Sequence, residues 1–224
     1  METVIADVMR YLGYHKTEPD EQVAAMAKEL IAVFASSAAP KNVYGIWDCT
    51  VEPRSVKIGS MIINSENLAG HLKGCSRAVL LAATLGQEAD TLIRRYSLQA
   101  MEKAVIAQAV CTVMIENYCD GIEKEIAQKQ DLGGLYSVKR FSPGYGDFDI
   151  AWQKDIVNLL SCDKRIGLTL TSGCMLVPSK SITAVIGYSG EKKQPGGKCG
   201  ASGHGTGGRC GNCAEIECGY RENE

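Results

Sequence analysis

The residues best suited to chemistry in this 224-residue sequence form one short stretch, 140–147, with the sequence RFSPGYGD. Arg140 offers a planar guanidinium that suits a carboxylate or a phosphate. Gly144 has no Cβ, so a ligand can lie directly against the main chain there, and the ring of Tyr145 offers a face to a base or a cation. The stretch follows a short strand-like run, 135–138, and precedes a helical pattern. A tight strand-to-helix turn without a ligand is therefore the alternative interpretation.

A second group of reactive residues lies in the last 35 residues of the chain. From Gly190 the sequence is rich in glycine and poor in bulky apolar residues, so it cannot build a hydrophobic core. Cys210 and Cys213 form a C-x₂-C pair, which lets two thiolates reach one ion from a single tight turn. The tail is predicted to bind zinc or an iron–sulfur cluster through Cys199, Cys210, Cys213 and Cys218. His204 is an alternative to Cys218, and a disordered tail with free thiols is the alternative to any metal site.

The composition is that of an ordinary globular protein, with 45% hydrophobic residues and a formal net charge of −2. Lysines and arginines are scattered along the chain, which argues against a nucleic-acid partner. No apolar run has the length of a membrane span, and the N-terminus lacks the pattern of a signal peptide. We therefore expect a cytoplasmic protein with no membrane partner, whose ten cysteines are thiols or metal ligands rather than disulfides.

Hydrophobic periodicity predicts helices and strands in an irregular order. The predicted helices are 4–12, 20–36, 65–73, 89–96, 101–128 and 150–160, and the predicted strands are 43–51, 55–63, 78–83, 165–171, 174–178 and 181–187. Because these elements do not alternate regularly, the sequence favours an α+β fold, with a mixed or antiparallel twisted sheet and packed helices. We expect one domain over residues 1–189, followed by the Gly/Cys-rich tail, 190–224.

Two of these elements are predicted to form the core. The run AVLLAA at 78–83 is apolar throughout, as is typical of a central strand buried on both faces. The long helix 101–128 is apolar around most of its circumference and is therefore expected to be buried. Cys111 and Cys119 lie on it and are interpreted as core thiols.

The sequence shows no evident catalytic machinery of its own. It contains no nucleophile–base set, and Asp147 and Asp149 near the candidate loop have no evident partner. His15 and His71 lie near ends of predicted helices and are interpreted as surface or capping groups. These features do not indicate a self-sufficient active site.

Three blocks in order, RFSPGYGD (140–147), RIGLTLT (165–171) and CMLVP (174–178), resemble the reactivation domain of vitamin B12-dependent methionine synthase. Their spacing is similar to that of the small stand-alone proteins of that family. VMRYLGY at 8–14 and HLKGC at 71–75 also fit, so the resemblance covers about residues 2–188 and leaves the tail outside.

The resemblance implies an accessory protein of methionine biosynthesis that binds S-adenosylmethionine and supports reductive methylation of cobalamin held by a partner. The partner would be a cobalamin-binding methionine synthase or a related corrinoid methyltransferase, with an electron donor such as flavodoxin or ferredoxin.

The resemblance also implies roles for four residues. Arg140 would hold the carboxylate of S-adenosylmethionine, and Ser142 and Gly144 would give main-chain contacts to its adenine and ribose. Tyr145 would lie alongside the ligand, where an aromatic face favours a sulfonium. The large enzymes of the family have alanine at the position of Ser142, and a further strand with a ligand-contacting tyrosine where this chain has its tail.

Two interpretations compete with this one. In the first, the tail cysteines carry an electron, so the chain is a metal or iron–sulfur redox partner of a corrinoid protein. In the second, the domain has lost ligand binding and serves only as an interaction module. The visible absorbance of anaerobically purified protein tests the former, and calorimetry with S-adenosylmethionine tests the latter.

Overall fold

A computed structural model describes residues 2–14, 20–129 and 132–192, and in these ranges an antiparallel sheet lies between two groups of helices. The helices are α1 (Glu2–Tyr11), α2 (Glu21–Ser37), α3 (Glu66–His71), α4 (Gln87–Gln99), α5 (Met101–Ala127), α6 (Trp152–Leu159) and α7 (Cys162–Ile166). The strands are β1 (Lys41–Val51), β2 (Ser55–Ile58), β3 (Met61–Asn64), β4 (Cys75–Thr84), β5 (Tyr136–Ser137), β6 (Thr169–Leu170), β7 (Leu176–Val177) and β8 (Ser181–Ser189).

The main sheet has six strands in the order β3-β2-β1-β4-β8-β5, and β6 pairs with β7 in a separate ribbon. Every strand pairing in both sheets is antiparallel. The α+β class and the antiparallel sheet predicted from the sequence are therefore confirmed.

Strand β4 lies at the centre of the molecule, as its unbroken apolar sequence predicts. Successive side chains of a strand point to opposite faces, and the two faces of β4 belong to two different hydrophobic clusters. Val79 and Leu81 pack with α1, α2, α4 and α5, while Ala78 and Leu80 pack with α3, α6 and α7. The sheet is thus covered by helices on both sides.

Helix α5 contributes eleven buried residues to the core, but Met101 and Val105 are 66% and 54% exposed, so the helix also has an exposed side that its apolar composition did not predict. Cys111 and Cys119 are fully buried free thiols in this helix, so their interpretation as core residues is confirmed. Burial raises the pKa of each thiol to about 12, which leaves both unreactive at neutral pH. Gly121 lies within α5 and does not break it.

Two predicted strands were wrong in detail. The segment 55–63 is a hairpin of two strands, β2 and β3, that turns at Gly59 with a φ of +56°. The segment 165–171 begins within α7, which ends because Gly167 adopts a φ of +70° and its N–H donates to the carbonyl of Cys162. A glycine in the left-handed region is a common helix end, and it leaves only Thr169–Leu170 as a strand.

The ends of the described ranges bear on two further expectations. Strand β8 ends at Ser189, and residues 193–224 lie outside the described residues, so the division into 1–189 and 190–224 stays a prediction. Among the helices of the described ranges, none combines the length and the apolar character needed to cross a bilayer.

Candidate functional site

The stretch 140–147 forms a loop between β5 and α6, fixed at its start to the central sheet. Phe141 and Val185 of β8 exchange two main-chain hydrogen bonds of 2.9 and 2.8 Å. The turn itself is closed by the N–H of Gly144, which donates to the carbonyl of Phe148 at 2.7 Å. Gly144 has a φ of +96° and Gly146 a φ of +57°. Both glycines are therefore needed for the turn conformation.

Arg140 does not extend freely from this loop, because its guanidinium is held by three carboxylates of α5. Nη1 donates to Asp120 at 2.7 Å and also to Glu123, while Nη2 donates to Glu116. The Arg140 side chain is only 14% exposed. The three acids are spaced i, i+4 and i+7, so they lie on one face of the helix. The result is an ion cluster between the loop and α5.

In this cluster, burial and ion pairing shift the pKa of each charged group in opposite directions. Burial lowers the pKa of Arg140, but its hydrogen bonds to Glu116, Asp120 and Glu123 outweigh burial and raise the pKa overall. The pKa of Glu123 is raised because burial disfavours its charge more than Arg140 stabilises it. Within the cluster, one guanidinium faces three carboxylates, which gives a formal charge of −2 when all four groups are ionised.

Tyr145 lies beside this cluster, so the structure brings two predicted site residues together. Tyr145 is 39% exposed, and the centroid of its ring lies 6.2 Å from that of Phe141. The pKa of Tyr145 is raised by burial and by the charge of Glu116, with a smaller opposing effect of Arg140. One aromatic face and the acidic cluster therefore border the same region.

Ser142 and Gly144 are the other two predicted site residues, the first half-buried and the second exposed. The carbonyl of Ser142 accepts from the N–H of Tyr145 at 3.3 Å. In the part of the chain that the structure describes, the Ser142 N–H, the Ser142 hydroxyl and the Gly144 carbonyl have no hydrogen-bond partner. These groups can therefore bind a ligand without breaking an existing bond.

Asp147 and Asp149 have partners, which corrects the sequence-based interpretation. Asp147 accepts from the hydroxyl of Ser65 and from the N–H groups of Glu66 and Asn67, the latter two at 2.6 and 3.1 Å. Asp149 accepts from the N–H of Ala151 at 2.8 Å, just before α6. Asp147 thus caps α3, whereas Asp149 closes the turn that precedes α6 and makes no side-chain cap of that helix.

The metal site predicted in the tail lies outside the described residues, which include none of Cys199, Cys210, Cys213 and Cys218. Within residues 2–14, 20–129 and 132–192, no cluster of histidine, cysteine or acidic side chains is arranged to hold a metal ion. Zinc or iron–sulfur binding by the tail stays a prediction.

Sequence reasoning missed the acidic partners of Arg140 and the role of His71. Glu116, Asp120 and Glu123 recur at helical spacing on one face of α5, a signal that could have been read from the sequence. His71 gave no comparable signal. Its Nε2 atom lies 2.6 Å from the carbonyl of Lys139, and its ring packs against Phe141 with centroids 5.0 Å apart.

Taken together, the fold is an antiparallel α+β sandwich whose candidate site is a glycine loop bordered by an ion cluster. The sequence matches no protein-family model and no curated protein sequence. Its fold, however, is similar to a solved structure described as the MetH reactivation domain bound to AdoHcy. The TM-score is 0.60 at 15% sequence identity, and the match covers 85% of this chain and 77% of that chain. This likeness establishes the fold that the sequence resemblance implied.

Proposed function

We propose that this chain binds S-adenosylmethionine at the 140–147 loop and supports the reductive methylation of cobalamin on a partner protein. The observation that carries the proposal is the likeness over 85% of the chain to a domain crystallised with AdoHcy. AdoHcy, S-adenosylhomocysteine, is what remains when S-adenosylmethionine gives up its methyl group.

The charge of the site supports a cationic ligand of this kind. S-adenosylmethionine carries one more positive charge than S-adenosylhomocysteine, on its sulfonium. The cluster of Arg140 with Glu116, Asp120 and Glu123 has an excess of negative charge, and its members are partly buried, where opposite charges attract more strongly than in water. A sulfonium near Tyr145 would be stabilised both by these carboxylates and by the ring face.

The polar groups of the loop are suited to binding the adenosyl part of the ligand. The free N–H of Ser142 and the free carbonyl of Gly144 can pair with the acceptor and donor atoms of an adenine edge or a ribose. The carboxylate of the ligand would take the guanidinium of Arg140 in competition with the acids of α5. One carboxylate would have to release Arg140, and we assign that exchange to Asp120, the most exposed of the three at 54%.

In this proposal the chain supplies binding and orientation rather than acid–base chemistry. The ligand's methyl group would pass to cobalt on the partner, once an electron donor has reduced the metal, and S-adenosylhomocysteine would remain in the site. The partner would be a cobalamin-binding methionine synthase or a related corrinoid protein, with flavodoxin or ferredoxin as donor, and the setting would be the cytoplasm.

Titration calorimetry with S-adenosylmethionine and S-adenosylhomocysteine tests the binding step. We expect S-adenosylmethionine to bind about five- to tenfold more tightly, roughly 1–1.4 kcal/mol, with the preference reduced in Glu116→Gln. Equal affinity for the two ligands would show that the acidic cluster does not select the sulfonium. If neither ligand binds, the interpretation of the domain as an interaction module would be favoured. Co-purification of a cobalamin-binding protein with the wild-type chain then tests the partner.

A further inference from the structure

Helix α3 lies along the candidate loop and contacts it at both ends. At the N-terminus of α3, the Asp147 carboxylate accepts from the Ser65 hydroxyl and from the N–H groups of Glu66 and Asn67. At the C-terminus, Nε2 of His71 lies at hydrogen-bond distance, 2.6 Å, from the carbonyl of Lys139. A helix of six residues is about 9 Å long, so the loop follows α3 over its whole length.

The contact continues between the two ends. A Cβ atom added to Gly146 would lie 2.5 Å from Nδ2 of Asn67, so the loop backbone lies directly against the α3 side chain. The ring of His71 packs on Phe141, the residue that pairs with β8. Contacts of α3 with Asp147, with Gly146 and, through His71, with the start of the loop therefore set the path of the loop main chain.

These contacts restrain backbone that is otherwise held by few bonds. Residues 142–148 are stabilised internally by three main-chain hydrogen bonds, donated by the N–H groups of Gly144, Tyr145 and Phe148. The free N–H of Ser142 and carbonyl of Gly144 lie in the middle of this segment. Their direction depends on where the loop is anchored, and a binding site needs its polar groups fixed before the ligand arrives.

We propose that α3 is a template for the loop, and that Asp147 and His71 are positioning residues that aim the main-chain groups of Ser142 and Gly144 at an adenosyl ligand. The identity of the ligand rests on the proposed function, whereas the templating does not. Neither positioning residue touches the ligand. Each acts through the backbone of the loop.

The experiment uses the full chain with three variants and one matched control. Asp147→Ala removes the clamp at the N-terminus of α3, and His71→Phe keeps a ring against Phe141 but removes the bond to Lys139. His71→Gln restores a donor of similar reach. The control is Asp90→Ala, because Asp90 also joins a helix to a loop by accepting from the N–H and the hydroxyl of Ser179, both at 2.7 Å, outside the candidate loop.

The first measurement needs no ligand. Hydrogen–deuterium exchange of a peptide covering 140–148 is expected to be at least tenfold faster in Asp147→Ala and His71→Phe than in wild type and in Asp90→Ala. His71→Gln should return it to within about threefold. Unchanged exchange in both clamp variants overturns the template.

The second measurement is affinity for S-adenosylmethionine by calorimetry. The two clamp variants are expected to bind at least fivefold more weakly, with Asp90→Ala and His71→Gln within twofold of wild type. Faster exchange with unchanged affinity overturns the positioning role. Absence of binding by the wild-type chain, together with faster loop exchange in the variants, would refute the proposed function while supporting the template.

Discussion

The Nη1 atom of Arg140 lies 2.7 Å from Oδ1 of Asp120, in a cluster that also includes Glu116 and Glu123. This contact joins the candidate loop to α5, which contributes eleven buried residues to the core. From the sequence, Arg140 was expected to bind the carboxylate of a ligand. The structure gives it a structural role as well, and the two roles must be separated by experiment.

Replacing Arg140 with alanine is expected to destabilise the fold as well as weaken binding. The change leaves three partly buried carboxylates without their shared cation, which should cost about 2–4 kcal/mol of unfolding free energy. Arg140→Lys keeps the charge but loses the planar fork, so we expect a smaller loss of stability and a binding defect close to that of alanine. Urea unfolding followed by circular dichroism gives the first quantity and calorimetry the second.

The matched control for this change is Arg54→Ala. Arg54 pairs with Glu66, but the two side chains are 83% and 58% exposed, so the loss should be below about 1 kcal/mol. Similar stability of Arg140→Ala and Arg54→Ala would show that the cluster does not stabilise the domain.

Glu123 is expected to make stability depend on pH in a defined direction. Burial raises the pKa of Glu123 above its ordinary value. The folded state therefore binds this proton more readily than the unfolded chain, and the stabilisation is lost as pH rises through the folded pKa. In Glu123→Gln the side chain cannot titrate. The stability of the variant relative to wild type should therefore increase from acid to neutral pH.

Asp147 is expected to give the opposite pH dependence of stability in the same experiment. The Ser65 hydroxyl, followed by the N–H groups of Glu66 and Asn67, holds the pKa of Asp147 below its ordinary value. Its stabilisation is present above the unfolded pKa and is lost as pH falls through the folded pKa. Asp147→Asn should thus be least stable relative to wild type at neutral pH. Slopes of the same sign for both variants would contradict this assignment of the two carboxyls.

Much of the fold was readable from the sequence because local signals and packing agree. Strand β4 is apolar over residues 78–83 and lies inside the sheet between β1 and β8, and α2 begins where Asp20 caps it by accepting from the N–H of Gln22 at 2.8 Å. The hairpin β2–β3 was missed because its turn depends on the left-handed backbone of Gly59, which the apolar run around it conceals.

The loop of the candidate site could be predicted from the sequence, but the residues that hold the loop could not, because they lie in distant parts of the chain. The loop residues are contiguous and have distinctive types, so they could be identified. The bond between Ser65 and Asp147 joins residues 82 positions apart, and His71 and Lys139 are 68 apart. Such pairings follow from the packing of α3 against the loop, and no local pattern encodes them.

The two loop glycines are expected to respond differently to a methyl group. Alanine at either site must adopt a positive φ, which costs about 1–2 kcal/mol. At Gly146 the new Cβ also meets Asn67, whereas at Gly144 its nearest neighbour is Cδ1 of Ile150 at an ordinary 3.5 Å. Gly146→Ala should therefore be the more destabilising change.

A double-mutant cycle isolates the contact with Asn67. In an Asn67→Ala background the two glycine substitutions should have nearly equal effects on the free energy of unfolding. The reason is that the side chain that a Cβ at Gly146 would meet has been removed. An additive cycle would mean that the close approach of Asn67 to Gly146 carries no energy. Because any side chain at Gly144 is expected to strain the loop, a bulky substitution there cannot test ligand contact by itself. Loss of ligand binding in such a variant would also reflect loss of loop structure.

The tail is expected to bind metal through its cysteines, a prediction that rests on the sequence alone. The tail has too few apolar residues to form a core. A bound ion would therefore have to offset the conformational entropy that is lost when so many glycines are ordered. Elemental analysis of the full chain should find about one zinc, or several irons with matching sulfide, per chain. A brown colour after anaerobic purification would identify a cluster and support the redox-partner interpretation.

Replacing Cys210 and Cys213 together with serine should eliminate this metal while leaving the domain folded. Cys111→Ser and Cys119→Ser in one chain form the matched control, since both thiols are buried in α5; metal content should be retained while stability falls. Truncation after Lys192 removes residues 193–224, which include all four tail cysteines, and keeps the turn in which the Ser189 hydroxyl donates to the carbonyl of Glu191 at 2.7 Å. The truncated chain should unfold as the full chain does and contain no metal. Metal-free wild-type protein whose four tail thiols all react with a thiol reagent would exclude both the metal site and the redox role.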